Sequence, residues 1–181
     1  MTASPSAGWS DTVIGEVRRL WGEQLRPADP GEVYPGLSLR TRQFLTAVGL
    51  PVFDPDMGVA VVHDALNQPV SRNGREYLIV GEMIGLDQWH AIDVESDQVG
   101  LIGEPESSDT PEFLNTDVAL YVLVLGVFEK DIIEASSTVD EDSDEAYQIT
   151  ERARALLTAM DPDAISEGSP WESLLSDMES Y

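Results

Sequence analysis

The chain has no cysteine among its 181 residues. That absence excludes disulfides, zinc–thiolate sites, iron–sulfur clusters and cysteine nucleophiles, and it fits a reducing, cytoplasmic setting. Positive charge is scarce. Ten Lys and Arg stand against 34 Asp and Glu, for a formal net charge of −24. Histidine is scarcer, with only His63 and His90, and neither has a second histidine three or four residues away. No Ser or Thr sits in a nucleophile elbow, and neither a P-loop nor a G-x-G-x-x-G loop occurs. Long apolar runs are missing too. The most apolar stretch without charge is Val118 to Phe128, bracketed by Asp117 and Glu129. A membrane helix needs about 20 such residues, so this one is read as a core helix. The opening, MTASPSAGWSDT, has no basic or apolar leader region.

What is present is acid, unevenly spread. Up to Leu50 five acids balance five bases, and after Leu50 there are 29 acids and five bases. Such a surface repels phosphate backbones and anionic lipid, which argues against nucleic-acid or membrane partners. It attracts a basic protein partner and speeds its approach, while serving equally for plain solubility.

The hydrophobic spacing predicts helices first. Ser10 caps a helix with Val13, Val17, Leu20, Trp21 and Leu25 on one side. Ser38 caps a second, ended by Gly49 and Pro51. Strands follow: a run from Val59, the Asn73-Gly74 turn, Glu76 to Met83 as a central strand, and a hairpin. That hairpin rises from Trp89 to Val94, turns at Glu95-Ser96-Asp97 and returns from Gln98 to Ile102. Helices then resume. The apolar helix is capped by Asn115 or Thr116, with Gly126 marking a close helix–sheet approach. A later helix carries Ile149, Ala153, Leu156, Leu157 and Met160, and a last one opens with a capping box at Ser169, Pro170 and Glu172. Residues 1–181 read as one domain, with residues 1–8 a candidate disordered end and 135–145 an acidic loop. Helices grouped around consecutive strands predict an α+β fold: a mostly antiparallel sheet of four to six strands, with helices on one face and at both ends.

Two chemical readings fail on spacing. Asp140, Asp142, Asp144 and Glu151 match positions 1, 3, 5 and 12 of an EF-hand loop. Glu145, however, stands where that loop needs glycine, and Tyr147 where it takes an aliphatic residue. Asp64 and Asp93 could each serve a histidine as partner, but no Ser or Thr nucleophile sits in an elbow for such a base to serve, and hydrogen-bonded strand histidines explain His63 and His90 better. No cofactor loop or metal cluster is predicted.

The segments RTRQFLTAVGLPVF, YLIVGEM, WHAIDVESDQVGLI and EFLNTDVALYVLVL cover roughly residues 40–130. Together they resemble the SUKH superfamily, and within it the SUKH-4 branch of bacterial immunity proteins. The matching features are Phe44-Leu45 to Pro51, Ile79-Val80-Gly81, Asp93 to Val99 and Phe113-Leu114-Asn115-Thr116. Thr116 stands where serine is more usual, and the 95–97 turn lacks a glycine. The resemblance implies a non-enzymatic α+β protein that docks onto a polymorphic toxin domain, often a nuclease or deaminase, and neutralises it. The residues expected to touch such a partner are Asp87, Asp93, Glu95 and Asp97 for charge, and Trp89 as an aromatic anchor or a core residue. The alternatives are a regulatory or scaffolding module of the same fold, and a small hydrolase or calcium-tuned protein that uses its carboxylates.

Overall fold

Serine caps start the first two helices. In the computed structural model, which describes residues 10–52, 58–103, 110–138 and 144–178, Ser10 Oγ accepts from the Val13 amide at 3.2 Å and opens α1 (Asp11–Trp21). Val13, Val17, Leu20 and Trp21 form its buried stripe. The helix ends four residues before the expected Leu25, because Gly22 turns to φ 51°. Leu25–Arg26 is instead a short strand, β1. Ser38 caps α2 (Leu39–Ala47) by accepting from Thr41 at 3.1 Å. Gly49 follows at φ 92°, and β2 (Leu50–Pro51) pairs antiparallel with β1. A Cβ on Gly49 would lie 2.1 Å from the Arg26 carbonyl oxygen, so only glycine lets these strands meet.

The main sheet contains β3 (Val59–Val61), β4 (Val70–Arg72), β5 (Arg75–Met83), β6 (Trp89–Asp93), β7 (Val99–Ile102) and β8 (Glu112–Asn115). Its order is β3-β5-β6-β7-β8, with β4 also on β5, and every pairing is antiparallel. β5 is central, as its apolar faces predict. Asn73 and Gly74 make the β4–β5 turn with φ 51° and 79°. In the 95–97 turn Asp97 takes φ 64°, so an aspartate adopts the backbone that glycine usually supplies. β8 was not expected. Its residues read as the approach to the apolar helix, yet they pair with β7.

Asp117, rather than Asn115 or Thr116, caps α3 (Val118–Gly126): its Oδ1 accepts from Leu120 at 2.9 Å. Every residue of α3 is buried, because the helix lies between the sheet and α1. Tyr121 reaches the sheet at His90, while the Val122 carbonyl accepts from Trp21 Nε1 at 3.0 Å. Gly126 does mark a close approach, but to α1: a Cβ there would meet Trp21 Nε1 at 2.8 Å. The chain continues through a widened π-helical stretch, Val127–Ile133, into α4 (Glu134–Ser136). α5 (Asp144–Met160) and α6 (Pro170–Met178) complete the fold. The expected acidic loop at 135–145 is therefore helical at both ends, and its centre, like residues 1–8, lies outside the described residues. Ser169 accepts from Glu172 N at 3.2 Å, but Glu172 turns to Arg154 and Ser176 rather than closing a capping box.

One core cluster runs from Val13 to Leu175 and joins Leu78, Val80, Ile92 and Val99 of the sheet to the helices. A smaller cluster, Tyr77, Ala91 and Ile102 with Val70, Ile79 and Trp89, occupies the other sheet face and comes wholly from strands. The fold is α+β, with helices packed on one face of a mostly antiparallel sheet.

Candidate partner-binding surface

The five residues expected to meet a partner fall at two ends of β6, which at about 3.3 Å per residue lie roughly 13 Å apart. Asp87 and Trp89 stand at the β5–β6 end, and Asp93, Glu95 and Asp97 at the β6–β7 end. Trp89 is half-buried in the strand-only cluster, and the Arg72 guanidinium carbon lies 5.7 Å from its ring centre. It is thus part core and part accessible. Asp87 is exposed.

At the other end, two of the acids serve the fold. Asp93 is buried, pairs with Arg75 at 3.1 Å, and accepts from the Glu95 and Ser96 amides at 2.9 and 3.1 Å. It holds the turn in shape. Asp97 accepts from the Thr41 hydroxyl at 2.9 Å and ties the turn to α2. Glu95 projects outward with its side chain 80% exposed, and Arg75 Nη2 reaches its carboxylate at 3.4 Å.

Sequence reasoning passed over Ile84 and Leu86. Both sit in the β5–β6 turn and are 58% and 54% exposed. The signal was legible: two large apolar residues flank Gly85 between two strands, in a position where polar residues are usual.

Both histidines are held by hydrogen bonds within the fold. His90 faces the helices, and its Nδ1 lies 2.9 Å from the Tyr121 hydroxyl. Burial lowers its pKa from 6.5 to about 4, which keeps the ring neutral, and the same burial raises that of Tyr121. Asp93, three residues along the strand, belongs to the opposite face. His63 Nε2 donates to the Pro51 carbonyl at 2.9 Å. It borders an open recess of about 490 Å³ with Arg26, Asp29, Glu32 and Asp64. Among the described residues no three His, Asp or Glu side chains converge as metal ligands.

The Asn115-Thr116 step has a structural purpose that the sequence did not reveal. Asp161, just past α5, accepts from Asn115 Nδ2 at 3.1 Å, from the Thr116 amide at 3.0 Å and from the Thr116 hydroxyl at 2.7 Å. Trp171 of α6 donates to Asn115 Oδ1 at 3.1 Å. The group clamps β8, the start of α3 and the α5–α6 connection together. Threonine in place of serine leaves the hydroxyl in position. Next to it, desolvation pushes the Asp117 carboxyl up to about 6, against the pull of the Leu120 amide and of Arg40 at 3.3 Å.

No described helix is long and apolar enough to cross a membrane. Neither a curated protein nor a solved structure matches the chain. A protein family does: the SUKH-4 immunity protein, over residues 15–177, which is nearly all of the fold described above. The chain therefore belongs to the SUKH-4 immunity protein family.

Proposed function

We propose that this protein neutralises a cognate toxin domain, probed first as a nuclease or deaminase, by binding over its cationic site, and that it transforms no substrate itself. The observation that carries the reading is the family match across residues 15–177. It favours immunity over a general scaffolding module. The charge supplies the mechanism. A surplus of −24 placed after Leu50 competes for the same clefts that bind polyanions, and it draws the partner in. The five hairpin residues are its proposed contacts: Asp87, Trp89 and Glu95 reach the partner directly, while Asp93 and Asp97 hold the loop that presents Glu95.

The test is co-expression with the toxin domain encoded beside this chain's gene. Cells that make both should grow, and cells that make the toxin alone should not. Equal killing with and without this protein overturns the reading.

A further inference from the structure

The β5–β6 tip stands out on three grounds at once. First, it exposes two large apolar side chains, Ile84 and Leu86, within four residues. Second, those side chains stand on a fixed backbone. Met83 N donates to Gln88 O at 3.0 Å and Leu86 N to Met83 O at 3.2 Å, while Gly85 takes φ 81°. Ile84 N donates to Gly58 O at 2.7 Å, which pins the tip to the chain entering β3. A tip already held in place loses little conformational freedom when it binds. Third, acids frame it. Glu82 and Asp87 are exposed on either side, and Glu82 sits directly across from Trp89 in the β5–β6 register.

We infer that this tip is the docking element, with Ile84 and Leu86 entering an apolar recess of a partner protein and Glu82 and Asp87 meeting Lys or Arg around its rim. The inference rests on the neutralisation reading and narrows it to one end of the hairpin. The occupant follows from charge. A second copy of this chain would bring another −24 and set tip acids against tip acids. An anionic bilayer is repelled in the same way. A basic protein surface with an apolar recess satisfies both parts of the tip. Burying exposed apolar side chains supplies affinity, and the acids supply approach and register. The far end of β6 offers less, because Asp93 and Asp97 are occupied in shaping their own turn.

The experiment uses the full chain and, as probe, the purified toxin domain encoded beside its gene, inactivated at its catalytic residue. Binding is measured by calorimetry for the wild type, Ile84→Ser with Leu86→Ser, Asp87→Lys, and Tyr147→Ser as a control at an equally exposed apolar site on α5. The tip pair should weaken binding roughly tenfold or more, as loss of central apolar anchors does. Asp87→Lys should slow association, Tyr147→Ser should bind like the wild type, and all variants should keep the wild-type melting temperature. If the tip variants bind as tightly as the wild type, this surface is wrong and neutralisation stands. If the wild type itself does not bind, the neutralisation reading falls, and the docking element falls with it.

Discussion

At Asp117 one carboxylate caps α3 from a buried position, with its pKa pushed up from 3.8 to about 6. At His90 burial acts on the opposite kind of charge and lowers the pKa from 6.5 to about 4. Their effects on stability have opposite signs. The folded state holds the Asp117 proton more tightly than the unfolded chain does, so stability rises as pH falls through 6. The unfolded chain holds the His90 proton more tightly, so stability is lost as pH falls below 6.5. Between pH 7.5 and 5 each effect amounts to roughly 1–2 kcal/mol, so in the wild type they largely offset each other. Asp117→Asn keeps an acceptor for the Leu120 amide and removes one of the two. Relative to the wild type, it should lose stability on going from pH 7.5 to 5. His90→Gln should gain over the same range. Urea midpoints at both pH values measure this, above the sequence pI of about 4.1. Three parallel profiles would show that neither group is held in its unfavoured state.

Elements that cap themselves were legible in the sequence. Ser10, Ser38 and Ser169 each bond the amide three residues on, so local chemistry alone places three helix starts. The central strand and the Asn73-Gly74 turn were legible for the same reason. What was missed depends on distant partners. β8 spans only Glu112 to Asn115, too short for a pattern of its own, and is a strand because β7 pairs with it. The cap of α3 is at Asp117 because Asn115 and Thr116 are both engaged by Asp161, about 45 residues on. The candidate surface divides similarly. Residue type alone proposes Asp87 and Trp89, whereas the internal duties of Asp93 and Asp97 required the fold to show their partners. Two glycines test how far local rules reach. Gly15 lies inside α1, and a Cβ there would meet nothing within 4 Å. Gly15→Ala should stabilise by about 0.5–1 kcal/mol through helix propensity alone. Gly49→Ala should destabilise by roughly 3 kcal/mol or more, because it adds a backbone clash to a strained φ. Denaturant melts of the two variants should therefore move in opposite directions. A Gly49→Ala protein as stable as the wild type would mean that the β1–β2 contact is not as close as described.

Over the whole molecule the charge division follows the fold. The balanced first 50 residues supply α1, α2 and β1, whereas the whole six-stranded sheet and α3 to α6 come from the acidic remainder. The acidic surplus therefore belongs to the elements that build the sheet, the β5–β6 tip among them, and on the proposed reading it attracts a cationic partner. Long-range attraction of this kind acts on encounter, and contacts made after docking act on escape. Salt separates the two. Between about 20 and 300 mM NaCl the Debye length shrinks several-fold, so the association rate constant with the toxin domain should fall roughly tenfold or more. Dissociation should change far less, because the apolar anchoring by Ile84 and Leu86 is not screened by salt. Stopped-flow mixing at four or five salt concentrations gives both rates. An association rate that stays flat across that range would mean that the −24 charge maintains solubility and plays no part in finding the partner, even if the tip is where the two proteins meet.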